Sequence, residues 1–150
     1  ASRDGGAHDF TEARNFNLSP DGRWMAYASD ESGRWEAYVG EFPGGGSRWQ
    51  ISAGGGVEPR WRPDGKELFY VSPDGTLMAV TLQFNQQSVL PAAPRPLFSA
   101  RFGEFGAEIF RPVYAPSHDG QKFLVNVVVE ETTASPVTMI LNWPAAMPRR

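Results

Sequence analysis

Four charged residues stand where a binding site could be built. Arg14, Glu58, Arg60 and Arg111 each lie a few positions ahead of an Asp-Gly pair. Arginine offers a planar fork of donors to a carboxylate, and a glutamate among arginines can balance their charge or complete a polar site. The set reads as a candidate site for a peptide or a carboxylate, or as ion pairs that need no ligand. Other chemistry has less to stand on. A serine hydrolase needs a nucleophile, a base and an orienting acid. The chain has no Gly-x-Ser-x-Gly, and its two histidines, His8 and His118, fall in an N-terminal arm and in a turn. It has no cysteine, which removes disulfides, thiolate metal sites and cysteine nucleophiles. Asp30 and Glu31 could hold calcium, but the alternating acidic string of a calcium loop does not follow them. Gly44–Gly46 and Gly54–Gly56 are not followed by the Gly-Lys-Ser/Thr of a phosphate loop. The expectation is therefore no catalytic residue, no metal and no cofactor.

Something must position those four residues, and the composition says what kind of structure does so. In 150 residues with 41% hydrophobic content there is material for a real core. The net charge of −3 and the scattered basic residues do not suggest a nucleic-acid partner. No apolar run is long enough to span a membrane as a helix. Glycine and proline, 16 and 13 of them, fall between short runs of β-branched and aromatic residues, which is the punctuation of an all-β fold. They also interrupt almost every window in which a helical apolar period could develop, so a helical bundle is set aside.

A repeat then emerges. Ser19-Pro20-Asp21-Gly22 recurs as Arg62-Pro63-Asp64-Gly65 and as Ser117-His118-Asp119-Gly120. Asp64 follows Asp21 by 43 residues and Asp119 follows Asp64 by 55. The first interval matches a four-stranded repeat of roughly 40–45 residues. Asp21, Gly22, Asp64, Gly65, Asp119 and Gly120 are read as structural hairpin corners, since glycine supplies positive φ and aspartate can bond the backbone of its own turn. Each corner leads to a second strand (Trp24 to Ser29, Glu67 to Ser72, Lys122 to Val129). A third follows (Trp35 to Phe42, Leu77 to Phe84, Val137 to Trp143). Fourth strands align as Ile51–Ala53 and Phe98–Ala100, with a long loop over Asn85 to Pro94. Leu68-Phe69-Tyr70-Val71 has no polar alternation, as in a strand covered on both faces. Trp35, Trp49, Trp61 and Trp143 are expected to pack between sheets.

The segments Leu18 to Ser29 and Pro59 to Tyr70, with Trp49-Gln50-Ile51-Ser52, resemble the WD-like Pro-Asp repeat of TolB-like β-propellers. More narrowly they are similar to propellers appended to bacterial serine/threonine kinases and sensors. The resemblance implies an all-β partial β-propeller of about three four-stranded antiparallel blades, the third incomplete. Residues 1–13 form an arm or latch strand, 14–54 blade one, 55–101 blade two, and 102–150 blade three with a C-terminal tail. It places Arg14, Glu58, Arg60 and Arg111 at the central channel. Propellers typically close with 4–8 blades. A second chain closing a six-bladed ring, or further blades of a longer chain, is therefore expected, with residues 7–13 of the partner completing the third blade. The implied function is a non-catalytic module for protein or ligand binding and assembly, the C-terminal part of a larger bacterial sensor or scaffold. The alternative is the gating propeller of a prolyl-oligopeptidase-like peptidase without its hydrolase domain. A periplasmic or other extracytoplasmic location is expected.

Overall fold

The computed structural model describes residues 12–43, 46–85, 88–102, 112–127 and the backbone of 138–140. These residues form β-strands joined by turns. The first sheet is a meander of β1 (Ala13–Leu18), β2 (Trp24–Ser29), β3 (Glu36–Glu41) and β4 (Arg48–Gln50). The second comprises β5 (Val57–Trp61), β6 (Glu67–Val71), β7 (Thr76–Phe84), β8 (Val89–Pro91) and β9 (Arg95–Ser99). The third contains β10 (Tyr114–Pro116), β11 (Phe123–Val125) and β12 (Thr138–Ile140). Every pairing is antiparallel.

The corners form for local reasons. In Ser19–Gly22 the Gly22 amide donates to the Ser19 carbonyl at 2.9 Å, and the Arg23 amide donates to Asp21 Oδ1 at 3.1 Å. Gly22, Gly65 and Gly120 carry φ of 71°, 71° and 67°, a left-handed geometry that glycine adopts without steric cost. Ser72–Gly75 repeats the device at the opposite end of the second sheet, with the Gly75 amide on the Ser72 carbonyl at 3.0 Å. Neighbouring corners touch. Arg62 Nη2 reaches the Asp119 carbonyl at 3.1 Å, and a Cβ on Gly65 would stand 3.7 Å from Pro20 Cδ.

The sheets stack through two apolar layers. Between the first and second lie Trp24, Ala26 and Val39 against Trp61, Leu68 and Tyr70. Between the second and third lie Phe69, Val71 and Leu77 against Tyr114, Phe123 and Val125. The strand β6 is buried along its whole length, as its unbroken apolar run predicts.

Two expectations change. The fourth strand of the first sheet is Arg48–Gln50 rather than Ile51–Ala53. Ile51 and Ser52 give their amides to the Ala37 carbonyl, and Ser52 Oγ accepts the Ala37 amide at 2.8 Å, so a side chain completes the pairing there. The expected loop over Asn85 to Pro94 contains β8. Its cause is the length of β7: β9 pairs only with Thr76 to Ala79, and β8 takes the edge left free at Leu82 to Phe84. Val89 is anchored in the first apolar layer.

Candidate functional site

The first strands of the sheets approach one another, and both β1 and β5 carry a bulge. Register gains one residue on β1 between Arg14 and Asn17, and on β5 between Val57 and Arg60. At the centre of each bulge sits a non-glycine residue in left-handed conformation, Asn15 at φ 57° and Glu58 at φ 55°. A bulge re-aims side chains, and here it aims them across the sheets. Asn15 Nδ2 donates to Glu58 Oε1 at 2.5 Å. Tyr114 Oη donates to the Glu58 carbonyl at 2.8 Å, so residues of all three sheets meet at this edge. Trp61 adds a further tie, its indole N–H donating to the Asn17 carbonyl at 2.9 Å.

Glu58 is buried, and burial pushes its carboxyl above the usual carboxylate range against the pull of Arg60. Arg60 Nη2 donates to Glu58 Oε2 at 3.4 Å, while Arg60 Nε is buried with no partner among the described residues. Burial raises the Tyr114 phenol well above its ordinary value, which keeps it a neutral donor.

Arg14 points elsewhere. Its guanidinium lies 3.7 Å from the centroid of the Trp35 ring. Arg34 immediately precedes Trp35, and its Nε binds Glu36 Oε1 at 2.6 Å. The Glu36 carboxylate is fully buried and also receives the Ser52 hydroxyl and the Gly55 amide, the latter at 3.0 Å.

Of the residues singled out from sequence, the structure joins Glu58 and Arg60 directly, while Arg14 rests on an indole within electrostatic reach of Glu58. Arg111 lies outside the described residues, as do His8, Trp143 and residues 1–11 of the proposed latch; Ala13 opens β1. Asp21, Asp64 and Asp119 serve their corners by accepting the amides of Arg23, Lys66 and Gln121. Asp30 accepts the Glu12 amide and Glu31 pairs with Arg48, so the two carboxylates turn to different partners. Among the described residues no group of three acidic or histidine side chains is arranged to hold a metal ion. Sequence reasoning missed Asn15 and Tyr114 and read Trp35 as a packing residue rather than a partner of Arg14. For Asn15 a signal existed, since it stands 43 residues before Glu58, the interval of the corners themselves.

The comparisons bear on the fold. No family model and no curated protein sequence matches the chain. Solved structures do. An oligogalacturonate lyase in complex with manganese is similar over 77% of this chain and 30% of its own length, with 18% identity and a TM-score of 0.55. TolB from Acinetobacter baumannii is similar over 79% of this chain and 27% of its own, with 20% identity and a TM-score of 0.52. An oligogalacturonate lyase from Vibrio parahaemolyticus is similar over 72% and 26%, with 17% identity and a TM-score of 0.51. The fold is a partial β-propeller. The chain spans under a third of the length of these propeller-like structures. In propeller terms the sheets are blades, and β1, β5 and β10 are their first strands.

Proposed function

We propose that the chain is a non-catalytic binding and assembly module built from Pro-Asp repeats of the TolB-like kind, completed by further blades. The carrying observation is an open blade face. In the second blade Trp61, Leu68 and Tyr70 insert against the first. The equivalent residues of the first blade are Leu18, Met25 and Tyr27, and they meet no blade among the described residues. Leu18 is 46% exposed, and Phe16, stacked on Tyr27 at 5.9 Å, is 60% exposed. At the other end of the stack Leu124 is 44% exposed on the outer face of β11. A soluble monomer rarely leaves such faces bare.

A second copy in head-to-tail arrangement, closing a ring of six blades, satisfies both faces with the packing already used between blades. Blades of a longer chain would do the same, as in a bacterial extracytoplasmic sensor or scaffold. The serines of the corners are committed to structure: Ser19, Ser72 and Ser117 donate to the aspartates of their own turns.

Sedimentation of the 150-residue chain at micromolar concentration tests the assembly, with a dimer expected. Leu18→Glu with Tyr27→Glu should give a folded monomer. A wild-type chain that sediments as a stable, folded monomer would overturn the two-chain closure.

A further inference from the structure

Between the first and second blades lies a cavity of about 400 Å³ walled by Arg14, Arg34, Trp35, Val57, Val71 and Pro73. Its position follows from the glycine connection between the blades. Gly55 holds φ of 100°, and a Cβ there would come within 2.4 Å of Pro73 Cγ, so only glycine lets the connection sit against the Ser72–Gly75 corner. The volume falls within the usual range for small-ligand sites, roughly 300–1,000 Å³.

Two arginines bring positive charge to this cavity, Arg34 paired with Glu36 and Arg14 within electrostatic reach of Glu58. The Arg14 guanidinium makes no direct ion pair or hydrogen bond among the described residues, although it lies within that reach of Glu58. Stacking occupies one flat side of its guanidinium and leaves the in-plane N–H donors, which match a planar oxyanion bidentately. Arg34 commits only its Nε, to a carboxylate that is itself held by two further donors. Two carboxylates compete for this charge: Glu36, held by Arg34, Ser52 and Gly55, and Glu58, whose oxygens bond Asn15 and Arg60 while it still feels Arg14. Val57, Val71 and Pro73 make part of the remaining wall apolar, beside Gly55, Gly56 and Ser72, whose hydroxyl is engaged with Asp74 and the Thr76 carbonyl.

We propose that this cavity binds a carboxylate carried on a small apolar body, the C-terminal residue of a peptide, with Arg14 as charge partner and Trp35 as the floor. Planarity and a single charge select carboxylate over phosphate, whose second charge these apolar walls would desolvate at greater cost. The inference rests on the reading of the chain as a binding module and moves the anion site from Arg60, which Glu58 already engages, to Arg14.

N-acetyl-phenylalanine is the probe, and the indole N–H NMR signal of Trp35, assigned by its loss in Trp35→Phe, is the readout. A saturable shift is expected. N-acetyl-phenylalaninamide should bind at least about tenfold more weakly, as should the acid to Arg14→Met, the usual loss for one charge-assisted pair. Arg60→Gln should bind the acid like the wild type. Phenyl phosphate binding more tightly than the acid would overturn the choice of carboxylate. Equal binding of acid and amide, an unchanged affinity in Arg14→Met with its circular dichroism intact, or no saturation would overturn the site. Sedimentation of the same samples keeps the two readings apart: a dimer without probe binding sinks this inference alone, and a monomer that binds the acid sinks the assembly alone.

Discussion

Asn15 and Glu58 hold the same place in successive blades, share a left-handed backbone, and are joined by a hydrogen bond of 2.5 Å. The left-handed backbone carries a cost for a residue with a Cβ, more for Glu58 than for Asn15, and the bond helps to offset it. Both persist because the bulge turns each side chain out of its own sheet and into its neighbour.

Two substitutions at Asn15 separate those contributions. Asn15→Ala loses the bond and keeps a Cβ in a left-handed position, at a cost of about 1–2 kcal/mol. Asn15→Gly loses only the bond, for less than about 1 kcal/mol. Urea midpoints should rank wild type above glycine above alanine. Equal losses for the two variants would show that the backbone conformation costs nothing.

Acidity should weaken the fold through its corners. Asp21, Asp74 and Asp119 hold their carboxyls below the ordinary value, first because Ser19, Ser72 and Ser117 donate to them. Such groups bind protons more tightly in the unfolded chain, so their stabilisation is present above the ordinary carboxylate value and fades as pH falls through the lowered one. Glu58 runs the other way. Its raised value makes its contribution largest below the ordinary range, and that contribution fades as pH climbs through the raised value. Urea unfolding across the acid range should show the three corners prevailing. The variant Ser19→Ala, Ser72→Ala, Ser117→Ala should flatten the acid loss, and Glu58→Gln should steepen it. A slope indifferent to the triple change would remove the corners from the account.

Gly55→Ala should be among the more damaging single-methyl additions. Left-handed strain and the close approach to Pro73 together predict a loss of about 1–3 kcal/mol. Pro73→Ala in the same chain should restore part of it, because it relieves the contact but not the backbone. Thermal unfolding of the two variants decides this; no recovery in the pair would mean that the contact is not the cause.

Packed and open aromatic residues should respond differently. Phe69 is fully buried and meets Phe123 edge-on at 5.0 Å, so Phe69→Ala should cost about 3–5 kcal/mol at any protein concentration. Phe16→Ser should change the stability of a dilute chain by less than about 0.5 kcal/mol, as at other surface sites. Its effect should appear as weaker self-association on dilution. If Phe16→Ser destabilises the dilute monomer as strongly as Phe69→Ala, the first face is not open.

What the sequence made legible was local chemistry. A Pro-Asp-Gly corner needs no distant partner, because glycine takes the positive φ and aspartate bonds an amide two residues on. The corners therefore announced the period, and the period announced the sheets. Contacts between blades were not legible. Trp35 read as a packing residue, and its use as a floor for Arg14 depends on where two separate strands come to rest. Arg60 read either as part of an anion site or as half of an ion pair, and which of the two holds depends on the bulge that turns Glu58 toward it. The strand β8 was hidden for a different reason: nothing in Val89-Leu90-Pro91 shows that β7 would overrun its neighbours.

The corners that follow β1, β5 and β10 abut in a row, Pro20 against Gly65 and Arg62 over Gly120. Each is shaped by its own four residues and is received by the one before it. A duplicated copy of the 43-residue unit spliced beside any of them would bring its own corner, already fitted to the docking edge of its parent. The backbone of the corner repeats along the rim while the side chain that meets it changes, from Pro20 to Arg62, so each added blade would keep the shape and choose its own contact.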